Sequence, residues 1–578
     1  LAKKKVNAPS SSSSPSRPSR SKKTVIYAAI GIIVVVAIAI GLFMDNNSGK
    51  NISDLSNNNK LVESSRIAAI DKFENQFCGN NTNPNSNQYV TEYVLPTRCE
   101  MPLGIAVDNN TSKVWYISTK NGTLGSYNIK ENRFDQEHTI PIWKSRQNPI
   151  DSSQVWTVKV DRENNIWFTD EKQNSIWRYN SLLKTFEFFN IPGISESFGT
   201  TYPVSLDFDS SGNIYFVGIR STSLWFGNIK EMKNGTSDGI SQIPIPLQGF
   251  AGIDPDLIST GSLVVDENNN SVWLSMLAFA KKGIIFKYDI NSKTFEVFNL
   301  PLDLSSPVGI ALENNNNNNS SDLWITDHGT SIFYKLDYSD RKITKFVTSQ
   351  ASPRIFGRNS TSEELAVAAA PSAAYTLPYW INKGSNGSIW FNEHTGNKIA
   401  VFNPVNMTLI EYWIPTQNAL FGQCQPTNAK NCGIANLLQF SVGNNNEVWF
   451  SEWSENKIGR VDTDKELPFS VSSSEKEVTI AKGKSAEIKL NLKMTSSSSS
   501  SEQTINMIKS GTFTATGALG NSTGSFSEES FSIAPGKSKQ ISFIFTPSLD
   551  LKSGEYTLMV GAENNAISYL KAIKINII

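Results

Sequence analysis

The sequence predicts an all-β chain: a seven-bladed β-propeller closed by an N-terminal strand, then a C-terminal β-sandwich, with a single N-terminal transmembrane helix in front. Three observations predict it. An aromatic strand recurs seven times between residues 89 and 471, a stray copy of the last unit's missing strand precedes the first unit, and the strand pattern changes after residue 467.

Residues 1–23 are basic, rich in Ser and Pro, and lack acids. They precede "TVIYAAIGIIVVVAIAIGLFM" (24–44), an uncharged apolar run long enough to cross ~30 Å of hydrocarbon as a helix. The positive-inside rule then makes the tail cytoplasmic and the bulk extracytoplasmic, in a single-pass cell-membrane protein. A cleaved signal peptide is the alternative. The run exceeds a usual signal core, and no small-x-small cleavage site follows it. Residues 45–87 read as a stalk, where "KLVESSRIAAIDKFENQF" has the period of an amphipathic helix.

Between 88 and 466 four pieces repeat at about 40–50 residues, the spacing of propeller blades. A strand opening near Pro ("PLGIAVD", "PVSLDFD", "PVGIALE") leads through an Asn/Ser/Gly turn to the aromatic strand. That strand is centred on Trp115, Trp167, Tyr215, Trp273, Trp324, Trp390 and Trp449, and two further strands follow. The alternation suits four antiparallel strands in sheets packed face to face. "DTDKELPFSV" does not supply the last unit's fourth strand, but "QYVTEYVLPT" (88–97) matches "MTLIEYWIPT" (407–416) and stands before the first unit. A strand from the far end of the chain would close the circle and remove its open edge.

From 467 to 578, "IAKGKSAEIKLNL" and "IAPGKSKQISFIF" each place a Gly turn before an alternating strand, predicting an immunoglobulin-like sandwich. Equal numbers of basic and acidic residues, 53 each, leave no global charge to draw the chain to nucleic acid. The four cysteines, Cys78, Cys99, Cys424 and Cys432, lack metal-type spacing and fit disulfides outside the cytoplasm, in any of three connectivities. Asn-x-Ser/Thr acceptors at Asn80, Asn121, Asn234, Asn359, Asn386, Asn406 and Asn521 fit a glycoprotein.

"VWFSEWSENKIGRVD" (448–462), "IWFNEHTGNKIAVFN" (389–403) and the Pro-x-Gly-Ile opening resemble blades of virginiamycin B lyase (streptogramin lyase), within the wider gluconolactonase-like (SMP-30) and NHL-like propellers. The resemblance covers about residues 88–465. It implies a lactone-opening elimination, with a His directly after the Pro of the first strand and Mg²⁺ held by nearby Glu. The matching positions here are Leu103, Trp156, Val204, Gly261, Val308, Tyr379 and Leu438, none of them His. The residue before the Pro, a Glu ligand in that family, is Met101, Tyr202, Ser306 or Leu377. That puts the family's reaction in doubt.

An acid ends the aromatic strand at Asp170, Asp327, Glu393 and Glu452, and His328 and His394 follow two of these acids. Carboxylates with imidazole suit Mg²⁺, Ca²⁺ or a transition ion. Crowded carboxylates without a metal would raise one another's pKa, leaving one of them, or His328 or His394, as a general base. Repetition also fits a structural hydrogen-bond acceptor. Long connections gather at the acid-bearing end, and Arg354, Arg358, Tyr379, Trp380 and Trp453 lie on or beside that face, residues suited to stacking on sugar or peptide and to binding carboxylate. Three functions follow: recognition of an extracellular glycan, peptide or protein; a metal-dependent lyase or hydrolase; or a structural envelope protein.

Overall fold

The computed structural model describes residues 78, 84–143, 153–193, 201–314, 321–351, 375–418, 432–496, 501–509, 519 and 521–578. These include Cys78 and residues 84–87 of the stalk, and exclude the apolar run 24–44. Among them no helix is long and apolar enough to cross a membrane. Helical structure among them amounts to single 3₁₀ turns such as Gln248–Phe250 and Leu302–Leu304.

The repeat folds as a β-propeller of antiparallel sheets, named here by the central aromatic residue of each. In the Trp390 sheet Pro378–Lys383, Ile389–Glu393, Lys398–Asn403 and Thr408–Trp413 pair in chain order. The sheets of Trp115, Trp167, Tyr215, Trp273 and Trp324 keep the same order. In the Trp449 sheet Leu437–Val442, Val448–Glu452 and Lys457–Val461 are joined by Val90–Val94, whose Val90, Glu92 and Val94 face Val461, Gly459 and Lys457. The matching strand is therefore drawn from the other end of the chain, as its likeness to 407–416 predicts.

Both faces of the aromatic strands are covered, so these strands are apolar throughout. Trp167, Trp273, Trp324 and Trp449 are fully buried between sheets. Their dense aromatic contacts, such as Tyr93 stacked on Trp449 at 5.3 Å, supply the core.

A second device sews neighbouring sheets together. The residue before the position of the strand-ending acid donates a side-chain hydrogen bond to a first-strand carbonyl of the next sheet. Ser275 reaches Val308 (2.7 Å), Asn392 reaches Leu437 (2.6 Å), Ser451 reaches Leu103 (2.8 Å), and Thr326 bonds Tyr379. The Ser451 bond carries this belt from the last sheet to the first. Such approach explains the glycine of the Pro-x-Gly opening. A Cβ on Gly309 would lie 2.5 Å from the Tyr379 carbonyl oxygen, and one on Gly104 2.7 Å from Val158.

Past residue 467 the strands form two further sets. Phe469–Ser473, Ala486–Met494, Ser538–Thr546 and Thr523–Phe526 make one sheet. Ile567–Ile577, Gly554–Glu563, Gln503–Lys509 and Ser530–Ile533 make the other, and it is continuous with the Trp390 sheet. Ile567–Ile577 pairs antiparallel with Thr408–Trp413, setting Ile567 opposite Tyr412 and Lys571 opposite Thr408. The sequence predicts a sandwich here but not this junction, which uses up the outer edge of one propeller sheet.

Cys78 and Cys99 are disulfide-bonded, with Cα atoms 4.8 Å apart. Cys432 is also disulfide-bonded, while Cys424 lies outside the described residues.

Candidate functional site

Each first strand enters at one end of its sheet, and the register puts the acid of the second strand beside that entry. Pro307 faces Asp327, Pro378 faces Glu393, and Leu437 faces Glu452. The residue before the entry adopts a left-handed backbone at Met101, Tyr202, Leu377 and Asn436, with φ between 49° and 54°. Non-glycine residues rarely hold this conformation unless their surroundings fix it. Here a bond repeats around the ring. The N–H after the strand-ending position meets the carbonyl before the entry, as in His328 to Ser306 (2.8 Å), His394 to Leu377 (3.1 Å) and Trp453 to Asn436 (3.2 Å). His328, His394 and Trp453 thus occupy one repeat position in successive sheets.

The acids divide into two chemical kinds. Asp170 accepts from Trp143 Nε1 (2.9 Å), Trp177 Nε1 (3.1 Å) and Ser153 Oγ (2.7 Å). Asp327 accepts from the Ser306 N–H (2.8 Å), the Gly329 N–H and the Thr330 hydroxyl, while burial pushes it up to about 6. Both aspartates accept hydrogen bonds from neutral donors.

Glu393 and Glu452 have no hydrogen-bond donor among the described residues and are fully buried. Each instead belongs to a glutamate–lysine–glutamate cluster. Lys398 Nζ stands 3.4 Å from Glu393 and 3.1 Å from Glu411, which also accepts from the Ser349 N–H at 2.8 Å. In the neighbouring sheet Lys457 Nζ bonds Glu92 (3.0 Å) and Thr416 Oγ1 (2.8 Å), and Glu92 accepts from the Thr416 N–H (3.0 Å) and hydroxyl (2.6 Å). Burial, then the Glu411 charge, drives Glu393 well above the carboxylate range; burial, then Glu92, does the same to Glu452. Burial also pushes Glu411 up, but Lys398 and Ser349 more than offset it and hold Glu411 below its usual value. One proton and one ammonium therefore serve two carboxyls in the Trp390 sheet.

Two imidazoles stand beside these clusters. The rings of His328 and His394 lie 5.7 Å apart and nearly parallel, and Tyr379 stacks on His328 at 4.1 Å. Burial, with the His394 ring adding to it, lowers His328 to about 3, and burial lowers His394 to about 4, so both are neutral at pH 7. Asn436 donates its amide nitrogen to Ser454, which turns its oxygen toward His394 Nε2 at 3.3 Å and fixes the proton there. The Leu377 and Pro378 carbonyls hold His328. Nδ1 of both rings is buried without a partner.

Trp156 and Tyr379 approach each other to 5.9 Å from different sheets, with Trp380 5.4 Å from Tyr379. Gln439 reaches across to the Trp156 carbonyl (2.9 Å). An aromatic cluster thus spans sheets that are not neighbours in sequence, where the resembling family carries its histidine.

The structure brings together His328, His394, Tyr379 and Trp380. It sets Asp170 apart with its tryptophans, puts Lys398 beside Glu393, and ties Lys457 to Glu92 near Glu452. No group of three or more His, Cys, Asp or Glu among the described residues is arranged to hold a metal ion. The donor sets fit hydrogen bonds and ammonium groups better than a hard divalent cation, which requires several ionised oxygens. Tyr379, Trp380 and Trp453, expected as stacking residues, are all buried. They face the interior where sheets converge. Arg354 and Arg358 lie outside the described residues. Sequence reasoning missed Lys398 and Lys457, although a lysine opens the third strand in both units whose aromatic strand ends in Glu.

No protein-family model matches this chain, and no curated protein matches it. Among solved structures, virginiamycin B lyase from Staphylococcus aureus is similar at 17% identity over 64% of this chain and 98% of its own, with a TM-score of 0.45. A streptogramin B lyase is similar at 19% identity over 65% of this chain and 97% of its own, also at 0.45. The periplasmic gluconolactonase of Pseudomonas aeruginosa is similar at 12% identity over 42% of this chain and 69% of its own, at 0.32. At these values the chemistry of the site rests on this chain's own residues.

Proposed function

We propose that the chain is a membrane-anchored, extracytoplasmic seven-bladed propeller with an immunoglobulin-like C-terminal sandwich. In this reading its acid-bearing end recognises an uncharged, hydrogen-bond-donating extracellular ligand, a glycan or a peptide. The observation that carries the reading is the pair of neutral imidazoles whose Nδ1 lone pairs lack donors, set against the Trp156–Tyr379–Trp380 cluster. Lone pairs without donors favour ligand hydroxyls or N–H groups. Catalysis by the resembling family's route has no support at the matching positions, where Trp156 and Tyr379 stand in place of His. Glu393 and Glu452 are driven toward their protonated forms and the nearby lysines pair with Glu411 and Glu92, which speaks for a site that works without a divalent ion.

The test is binding of the purified ectodomain to neutral glycan and peptide arrays, repeated with the double change His328→Phe, His394→Phe. Loss of affinity by about tenfold or more with the fold retained supports the reading, since each lost hydrogen bond costs ~1 kcal/mol. Undiminished binding by the double variant would refute it. A chelator that releases a stoichiometric ion and lowers the Tm would instead favour a metal-dependent lyase or hydrolase.

A further inference from the structure

Antiparallel order gives each propeller sheet two ends. The acids and histidines occupy the end that holds the turns between second and third strands. The opposite end holds the turns between first and second strands and between third and fourth strands. Acceptors of the Asn-x-Ser/Thr type fall mostly at that opposite end. Asn109 and Asn110 lie between Pro102–Asp108 and Lys113–Ser118, and Asn234 lies between Ser223–Gly227 and Ile240–Pro244. Asn269 precedes Ser271–Ala278, Asn386 lies between Pro378–Lys383 and Ile389–Glu393, and Asn406 lies between Lys398–Asn403 and Thr408–Trp413.

Hydrogen bonds sort these side chains. In Asn109, Asn234, Asn386 and Asn406 the amide oxygen is spent on the protein. It accepts from the Asn444 N–H (2.7 Å), the Phe188 N–H (3.1 Å), the Ser388 N–H (3.0 Å) and the Thr408 hydroxyl, respectively. All four residues are exposed, and their amide nitrogens have no partner among the described residues. An amide whose oxygen is tied inward presents its nitrogen outward. The other two acceptors are reversed. Asn110 spends its nitrogen on Asn164 (2.6 Å), and Asn269 spends its own on Asp266 (2.8 Å) and Ser321 (3.2 Å). Asn521, in the C-terminal region, likewise donates to Asp550 (3.2 Å).

We propose that Asn109, Asn234, Asn386 and Asn406 carry N-linked oligosaccharides, which coat one rim of the propeller and leave the acid-bearing rim open. The inference rests on the extracytoplasmic reading above. The donor is a lipid-linked oligosaccharide. The amide nitrogen forms a bond to sugar C1, the C1–oxygen bond to the lipid phosphate breaks, the phosphate leaves with the electron pair, and the amide proton passes to a base. A bulky hydrated chain on these turns adds solubility at one end. Crowding a ligand at the other end would oppose the proposed function, and the four proposed positions avoid it.

The experiment is glycopeptide mass mapping of the full chain isolated from the cells that make it, with protease shaving of intact cells in parallel. Attached hexose-containing glycans at the four asparagines, with Asn110 and Asn269 bare, are expected. Each substitution N109Q, N234Q, N386Q or N406Q should remove one glycan mass without changing the shaving pattern. Four bare asparagines on a chain that shaving cuts would overturn this inference and leave the extracytoplasmic reading standing. A chain that is bare and also protected from shaving would overturn both. Equal glycan occupancy at Asn121, the exposed acceptor at the acid-bearing end, would overturn the one-rim arrangement.

Discussion

The Trp390 and Trp449 sheets contain the same buried cluster, assembled in two ways. In the first, Glu393, Lys398 and Glu411 come from consecutive strands of one chain segment. In the second, Glu452 and Lys457 are joined by Glu92, which is 365 residues from Lys457 in sequence. The first sheet's outer strand is covered by Ile567–Ile577, whereas the second sheet's outer strand is itself the visitor from the far end of the chain. A cluster that only completes an interior in one place therefore also fastens the ring in the other. Burying an ion pair yields little net stability, but removing one partner leaves an uncompensated charge, so such a cluster discriminates strongly between docked and undocked strands.

The largest expected effects come from the two lysines. Lys398→Met and Lys457→Met should each cost about 3–5 kcal/mol in urea unfolding, because each leaves buried carboxyls without their ammonium. Their consequences should differ in place. Amide exchange should accelerate across Val90–Val94 in the Lys457 variant and stay slow there in the Lys398 variant. Equal acceleration in both would break the distinction between local and long-range assembly.

Next in size is the disulfide. Cys78→Ser, in the absence of reductant, should cost about 3 kcal/mol, since a closed loop of this length restricts the unfolded chain by that order. The loss should appear as faster exchange in Val90–Val94 with no change in Thr408–Trp413.

The sewing bonds are smaller. Ser451→Ala and Asn392→Ala should each lower stability by ~1 kcal/mol. Ser451 spans the ring's junction and Asn392 does not, so a much larger loss at Ser451 would show that the junction is weaker than the sequence repeat implies.

The pH dependence is the most diffuse, because it is spread over many groups. Burial raises Asp327 to about 6, Glu455 to about 7 and, with help from Glu137, Glu100 to about 9. These carboxyls keep protons that the unfolded chain has lost, so their contribution is full below the unfolded values near 4 and falls as pH rises through each folded value. His328 and His394 work the other way, and their contribution is lost as pH falls from about 6.5 toward 3–4. The raised carboxyls, with Glu393 and Glu452 added, outnumber the two histidines, so the Tm should be higher at pH 5 than at pH 8. The reverse order would mean that these glutamates are ionised in the fold.

Much of this architecture was legible because repetition reveals itself. "TEYV" and "IEYW" matched, and that match located the closing strand without any structural information. The same two copies contained the cluster, since Glu rather than Asp ends the aromatic strand only where Lys opens the next strand. Reading the acids alone hid it, because a carboxylate's partner is set by what lies 3 Å away and not by its neighbours in sequence. The tryptophans and tyrosines at the acid-bearing end were misread for a similar reason. An aromatic residue beside a loop looks exposed in a string, while Tyr379, Trp380 and Trp453 are all buried. The junction between Thr408–Trp413 and Ile567–Ile577 left no mark in the sequence, because backbone pairing at a sheet edge demands only an extended strand.

A double-mutant cycle of Glu92→Gln and Lys457→Met, read by urea unfolding, tests the closure and the ion pair together. Residues in direct contact are expected to couple by about 1–3 kcal/mol, so the double variant should be more stable than the sum of the single losses implies. Strict additivity of the two losses would contradict the pairing of the N-terminal strand with the last sheet.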